Sequence, residues 1–154
     1  MSPPRRMQVL GAADHAALHD MLALFGKAFE DPEQCGARPS GEAYLRRLLE
    51  RDSFVALAAF EGPRLVGGLA GYVLPNFEQE RSEFYIYDLA VDAAHRRCGV
   101  ATALIQELPR QARRRGIGCI CVQADRGDDP AIALYSRLGR REGVLHFDIA
   151  PTDA

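Results

Sequence analysis

The chain has 154 residues, of which 47% are hydrophobic and 26% are charged, as is typical of a globular protein with a sizeable core. Its net charge of −2 argues against nucleic-acid binding, which requires a basic surface, and no apolar run approaches the ~20 residues needed to span a membrane. We therefore expect a single domain over residues 1–154, with neither nucleic acid nor membrane as a partner.

Apolar residues at helical spacing predict two helices near the start of the chain. A short strand from Met7 to Leu10 is followed by a helix from Asp14 to Phe29. Residues 31–41 contain two prolines and two glycines, which predict a loop. Ser40 can cap a second helix. The buried face of that helix is predicted to consist of Tyr44, Leu45, Leu48 and Leu49.

A β-hairpin is predicted next. Residues 53–60 are nearly all apolar, as in a strand buried on both faces, and a turn at 61–64 leads to a partner strand over 65–74. That second strand contains Gly67, Gly68 and Gly71. Glycines inside a strand indicate either a bulge or a close approach of another part of the chain.

The stretch from Glu83 to Thr102 organises the rest of the chain. Its first half alternates as a strand does, but the alternation shifts at Asp88, which indicates one extra, bulged residue. Its second half is rich in small residues and leads into a helix predicted from Gly99 to Arg115. A strand, a turn and a helix N-terminus in this order form an anion site, because unpaired N–H groups and the helix dipole attract negative charge.

Three further elements complete the prediction. Pro109 should kink or break the end of the preceding helix. A strand is expected over 119–124, a helix over 131–138 with Asp129 as its N-cap and Pro130 at its first position, and a last strand over 143–149. Cys119 and Cys121 should share one strand face in the core. The cysteine spacing matches no metal site and favours a reducing, cytoplasmic location.

Arg96-x-x-Gly99-x-Ala101 resembles the acyl-CoA pyrophosphate signature of the GNAT acetyltransferase superfamily. Tyr85-Ile-Tyr-Asp-Leu-Ala-Val91 and Gly127-Asp-Asp-Pro-Ala131, together with shorter segments between Phe54 and Ile149, make the chain similar to the type I aminoglycoside 3-N-acetyltransferases. This resemblance implies an α/β fold of the GNAT acyl-CoA N-acyltransferase type. Its mixed, mostly antiparallel sheet is flanked by helices, and its central strands splay apart to admit CoA. The resemblance also suggests a homodimer.

Acetyl-CoA is the co-substrate that the resemblance implies, with no metal. The residues expected to contact it are Leu89, Ala90, Val91, Arg96, Arg97, Cys98, Gly99, Val100, Ala101, Thr102, Asp128, Ala131 and Tyr135. Asp88 is the expected catalytic base, or else it orients the attacking amine, and Tyr135 is expected to donate to the departing thiolate. The alternatives are a solvent-facing aspartate at a bulge and a core tyrosine.

Charge is segregated along this part of the chain. Residues 78–92 contain five acids and one base, whereas residues 93–115 contain six arginines and one acid. The basic part suits the phosphates of CoA, or is a solvated helix face, and the acidic part suits a polycationic acceptor such as an aminoglycoside. The residues expected at the acceptor are Glu78, Tyr87, Asp88, Asp125, Asp128 and Asp129. A polyamine or protein amine as acceptor, and a catalytically silent acyl-CoA sensor, remain alternatives.

Overall fold

The structure, a computed structural model, describes residues 4–29 and 40–152. These residues form two compact units, one within residues 1–123 and one within residues 124–154. In the described part of the chain, no helix is both long enough and apolar enough to cross a membrane.

A five-stranded sheet is the centre of the first unit, and its strands lie in chain order. The first four strands pair antiparallel, and the last pair is parallel, as predicted for a mixed, mostly antiparallel sheet. The strands are β1 (Arg5–Val9), β2 (Phe54–Glu61), β3 (Arg64–Pro75), β4 (Ser82–Val91) and β5 (Ile117–Val122). The helices of this unit are α1 (His15–Ala28), α2 (Glu42–Leu49) and α3 (Val100–Arg115), with single 3-10 turns at Ala12–Asp14 and Ala93–His95.

The sheet is covered on both faces, as the apolar sequence of β2 predicts. Alternate residues of β2 enter different clusters, because successive side chains of a strand point to opposite faces. One cluster joins Ala56 and Ala58 to Leu18, Met21 and Phe25 of α1. The opposite cluster is formed by Val55, Leu57, Ala59, Val66, Leu69, Phe84, Ile86, Val100, Leu104 and Leu108, the last three from α3. The two faces of β2 therefore pack against different helices.

The glycines of β3 allow helices to approach the sheet closely. A Cβ atom on Gly67 would lie 2.7 Å from Val100 Cγ1 of α3, and one on Gly68 would lie 2.7 Å from Met21 Cε of α1. Both distances are shorter than real Cβ contacts, so a larger residue at either position would force the neighbouring side chain to move. Of the two interpretations of this glycine run, close approach is confirmed at both positions.

Several boundaries differ from the predictions. Gly41, rather than Ser40, precedes α2 as its N-cap, and Leu45 is the one buried residue of that helix, with Tyr44 exposed. The helix α3 continues through Pro109 to Arg115 without a break, because proline removes a single hydrogen bond while the face carrying Leu104, Leu108 and Ala112 stays buried. Most of the loop predicted over residues 31–41 lies outside the described residues.

The predicted core position of two cysteines is also wrong. Cys119 is exposed and Cys121 is only partly buried, and neither belongs to the α1 cluster or the α3 cluster of the first unit. They do share a face as predicted, since their sulfur atoms lie 3.8 Å apart. Burial, followed by the neighbouring Cys119 and Glu83, raises the pKa of Cys121 to about 11, so its thiol keeps its proton at neutral pH.

The second unit contains one described helix, α4 (Asp129–Leu138). Asp128, not Asp129, is its N-cap, since the Asp128 carboxylate accepts a hydrogen bond from the Ala131 N–H at 3.3 Å. The strand predicted over residues 143–149 is wrong: residues 140–152 have no regular secondary structure. Alternating apolar residues are not sufficient for a strand, which also needs a partner for its N–H and C=O groups, and no strand is described within this unit.

Candidate active site

The candidate site begins at a β-bulge in β4. Asp88 pairs with Ala70 of β3, but the next pair is Ile86 with Gly71, so Tyr87 is an extra residue without a partner on β3. A bulge reverses the alternation of side chains. Before it, Phe84 and Ile86 face the α3 cluster. After it, Asp88 lies opposite Ala70, which belongs to the α1 cluster. The bulge predicted at Asp88 is confirmed.

Asp88 is half-buried among aromatic residues. Burial raises the pKa of its carboxyl group above the ordinary value of 3.8, which makes the carboxylate a stronger base. Tyr72, whose pKa is raised by burial and by neighbours that include Tyr87 and Asp88, lies beside it. The rings of Tyr72 and Tyr87 meet edge to face with centroids 5.8 Å apart, and Tyr85 adds a third ring 6.4 Å from Tyr87. Tyr87 is 67% exposed, so this cluster opens to solvent.

Tyr72 is a site residue that the sequence analysis missed. Its register on β3 opposite Tyr85 places it on the same sheet face as Ala70, and therefore on the face to which the bulge turns Asp88. The sequence signal was the two-residue spacing from Ala70 to Tyr72. That signal becomes informative only when the position of the bulge relative to β3 is known.

The sheet opens beside this bulge. The parallel pairing of β4 with β5 runs from Ser82 with Ile117 to Ile86 with Val122 and ends there. The strand β4 continues to Val91, paired with β3 on one side. On the other side of the segment 87–91, no strand is paired in the described part of this unit. Its free N–H and C=O groups can pair with an extended ligand, as an added strand would.

A turn with two left-handed residues connects β4 to α3. Arg97 has a φ of +60°, which is unusual for a residue other than glycine, and Gly99 has a φ of +76°. Gly99 is the N-cap of α3, and no atom lies within 4 Å of the position its Cβ would take. Arg96, Arg97 and Cys98 are exposed. The amides of the first turn, residues 99–102, have no partner within the helix, so this turn offers them to an anion such as a pyrophosphate.

The arginines at the other end of α3 are not near this turn. Arg115 lies fifteen residues after Val100, which is about 22 Å along a helix. Its guanidinium donates a hydrogen bond to the carbonyl oxygen of Asp52 at 3.0 Å. The arginine-rich end of the helix therefore supports the chain before β2, and its positive charges interact favourably with the helix dipole. A solvated basic face describes this end better than a phosphate site.

The second unit carries the remaining predicted residues. Tyr135 lies on α4, and its pKa is raised by burial and then by the negative charge of Asp128, so it keeps its proton well into alkaline conditions. Asp128 and Asp129 open that helix, Ala131 lies in its first turn, and Asp125 precedes them in the turn that ends with the Asp128 N–H bonded to the Asp125 carbonyl. Glu78 of the first unit is an exposed residue between β3 and β4.

Residues 18–139 match the family model of the Acetyltransferase (GNAT) family. The chain belongs to this family. The match covers most of the first unit and the second unit as far as the end of α4, and the mixed sheet and its helices are those of the GNAT fold, as the sequence predicted. GNAT enzymes in general use acetyl-CoA.

Solved structures refine the comparison. The GNAT domain is 53% identical to an aminoglycoside acetyltransferase, HMB0005, from an uncultured soil metagenomic sample, with a TM-score of 0.94 over 97% of this chain and 99% of that one. It is 29% identical to a second soil metagenomic aminoglycoside acetyltransferase, meta-AAC0020, whose structure in complex with sisomicin aligns with a TM-score of 0.90 over 96% of this chain and 97% of that one.

A curated relative has a different acceptor in its name. The [ribosomal protein bS18]-alanine N-acetyltransferase of Escherichia coli strain K12 is 27% identical over 125 residues, which are 81% of this chain and 74% of the relative. The comparisons therefore establish a GNAT acetyltransferase, with two classes of amine acceptor among its relatives.

Proposed function

We propose that this GNAT acetyltransferase transfers the acetyl group of acetyl-CoA to an amino group of an aminoglycoside, and so confers antibiotic resistance. The observation that carries the acceptor class is the 53% identity to an aminoglycoside acetyltransferase over nearly the whole chain. An acidic, aromatic surface at Asp88 is suited to such an acceptor, because rings and carboxylates both attract ammonium groups. Attack by the 3-amino group rests on the resemblance to type I enzymes.

The donor is held, in this proposal, by the backbone of the first unit. The amides that follow Arg96, up to Thr102, bind the pyrophosphate, and the guanidinium of Arg96 adds charge. The free edge of β4 at Leu89, Ala90 and Val91 pairs with the pantetheine arm. One of these N–H groups then donates to the carbonyl oxygen of the acetyl group, where negative charge develops in the transition state.

Asp88 prepares the acceptor. Its carboxylate accepts a hydrogen bond from the attacking amine and takes its proton, directly or through a water molecule, as the N–C bond forms. The C–S bond breaks, and its electron pair leaves with the sulfur. Tyr135 donates a hydrogen bond to this thiolate. Because the raised pKa of Tyr135 makes full proton transfer unfavourable, we assign it stabilisation of the leaving group.

Four acids complete the proposed acceptor site. Asp125, Asp128 and Asp129 of the second unit and Glu78 of the first are proposed to attract further ammonium groups, and Tyr87 supplies an exposed ring. These assignments rest on charge and on the resemblance. A cytoplasmic location and a homodimer belong to the same proposal.

A thiol-release assay tests the function. Purified protein and acetyl-CoA are mixed with sisomicin, with spermidine, or with a peptide that has an N-terminal alanine, and NMR of the product locates the acetyl group. We expect turnover with sisomicin at least about 100-fold above the other two in kcat/KM. Turnover with the peptide alone would favour the alternative acceptor, a protein amine, which the E. coli relative suggests.

A non-catalytic acyl-CoA sensor is the second alternative. It requires the donor site but no base, and the raised pKa of Asp88 favours an enzyme instead. Binding of acetyl-CoA without turnover of any acceptor in the panel would support the sensor.

A further inference from the structure

The side chain of Arg5 links the first strand of the sheet to the turn before α3. Its Nη2 atom donates to the carbonyl oxygen of Cys98 at 3.2 Å and to Glu61 Oε1 at 3.3 Å. The Arg5 side chain is about one-quarter exposed, and its Nε is buried without a partner among the described residues. The two Nη2 contacts therefore hold this guanidinium in place, and one of them links Arg5 to a residue 93 positions later in the chain.

The direction of the Cys98 carbonyl group determines the direction of the next N–H group, that of Gly99. In a trans peptide the C=O of one residue and the N–H of the next point in opposite directions. A donor that holds the Cys98 oxygen therefore fixes the N–H of Gly99 in the opposite direction within the same peptide plane. Gly99 is the N-cap of α3, and its N–H is the first of the amides that have no partner within the helix.

Cys98 lies between two left-handed residues, Arg97 and Gly99, and the left-handed conformation of Arg97, which is not a glycine, persists only with support from its surroundings. The support extends beyond Arg5. Glu61 Oε2 lies 3.1 Å from Nε2 of His95, and Nδ1 of His95 lies 2.8 Å from Asp92 Oδ2. Both oxygens of Glu61 are thus engaged, one by Arg5 and one by His95, so the anchor of Arg5 is itself held in place.

We propose that Arg5 is a positioning residue for the acyl donor: by holding the Cys98 carbonyl, it aims the Gly99 N–H at the pyrophosphate. The inference rests on the proposed binding of acetyl-CoA at this turn. Arg5 touches neither the donor nor the acceptor, and it acts through the peptide that follows Cys98.

Two acyl donors separate this role from a merely structural one. Acetyl-CoA contains the pyrophosphate, whereas acetyl-pantetheine ends before it. For Arg5→Ala with sisomicin as acceptor, we expect the KM for acetyl-CoA to rise about tenfold, the effect of one charge-assisted hydrogen bond, with kcat within about twofold. The kcat/KM for acetyl-pantetheine should stay within about twofold of wild type, since no pyrophosphate is present to be misaligned.

Two further variants complete the test. Arg5→Lys keeps one charged donor and should restore much of the acetyl-CoA affinity, with KM about threefold above wild type, and it decides the question if Arg5→Ala does not fold. Arg6→Ala is the matched control on the same strand, because the guanidinium of Arg6 lies over the ring of Phe60, 4.6 Å from its centroid, and not at the turn. It should change neither donor's kinetics by more than about twofold.

Calorimetry with CoA separates the two proposals without an acceptor. Wild-type affinity for CoA in folded Arg5→Ala would overturn the role of Arg5 and leave the proposed donor site intact. If Arg5→Ala does not fold, the absence of the expected loss of about threefold in Arg5→Lys would do so. Equal losses with acetyl-CoA and acetyl-pantetheine would also overturn it, because they would show a general structural defect. Failure of the wild-type protein to bind CoA would overturn the proposed function and this inference with it.

Discussion

Replacing Asp88 by asparagine should lower activity and raise stability together. A general base contributes about 10²- to 10⁴-fold to rate, so we expect kcat to fall at least about 100-fold, equivalent to about 2.7 kcal/mol of transition-state stabilisation. Asparagine has nearly the same size as aspartate and cannot accept the proton. The turn, the aromatic cluster and the β4 edge should therefore be preserved.

The gain in stability follows from the sign of the pKa shift. Burial raises the pKa of Asp88, so the folded state binds this proton more tightly than the unfolded state does. Stability therefore falls as pH rises through the range between the two pKa values, and at pH 7 the ionised carboxylate destabilises the fold. Removing the charge should raise the melting temperature at pH 7. At a pH below both pKa values the wild-type residue is neutral, and the difference should vanish.

Asp92 is a matched control for this sign. Its hydrogen bond with His95 lowers its pKa against the opposing effect of burial, and Arg64 lowers it further. A lowered pKa stabilises the fold above the unfolded-state value, and this stabilisation is lost as pH falls through the folded-state value. Asp92→Asn should therefore lower the melting temperature at pH 7, whereas Asp88→Asn should raise it.

Calorimetry and a kcat profile against pH measure both effects. In wild type, kcat should fall as pH falls through the raised pKa of Asp88, at a pH above its ordinary value of 3.8, and Asp88→Asn should lack this limb. The acceptor amine titrates in both proteins and does not account for the difference. A kcat within about threefold of wild type, or a melting temperature that falls along with activity, would refute the reasoning.

Three other predictions use the rest of the site. Gly99→Glu should abolish CoA binding, whereas Gly116→Glu, at a residue with a similar left-handed φ of +67° and equally open surroundings, should retain it; equal effects would contradict the anion site. Tyr135→Phe should lower kcat by about tenfold or less. If wild-type kcat fell with rising pH already below pH 10, and this fall were absent in the variant, the raised pKa of Tyr135 would be contradicted. The KM for sisomicin should rise with salt, which screens charges over about 10 Å at ~0.1 M, and Asp125→Asn and Asp128→Asn should raise KM and reduce that dependence; a KM indifferent to both would exclude the acidic site. Asparagine also caps helices well, so the second variant should keep α4 intact.

Much of the fold could be predicted because local patterns determine it. The apolar run of β2 and the shift of alternation at Asp88 each predict one local structure, the glycines of β3 narrow theirs to two, and the structure contains a predicted feature in every case. The strand at 143–149 shows the limit of such patterns. Its alternating residues match a strand, but pairing depends on a partner that sequence spacing does not supply.

The candidate site was predictable in part for a related reason. The Gly99 turn is encoded locally by small residues, and Asp88 is marked by the parity of its own strand. Tyr72 and Arg5 are not marked in this way. Tyr72 reaches Asp88 through a cross-strand register, and Arg5 reaches Cys98 across 93 residues. Neither separation along the chain carries a periodic signal, so spacing in the sequence assigns neither Tyr72 nor Arg5 to the site.

The bulge at Tyr87 also explains why one strand can serve both the core and the site. If Tyr87 paired with β3 in a regular ladder, Asp88 would follow Phe84 and Ile86 onto the face that packs against α3, where an ionised carboxylate would be buried among apolar side chains. Because Tyr87 is bulged out of the ladder, Asp88 turns toward Tyr72, while Leu89 and Val91 pack against the α3 cluster. Since the β5 ladder ends at Ile86, directly before the bulge, the base and the free backbone edge appear at the same point of the strand.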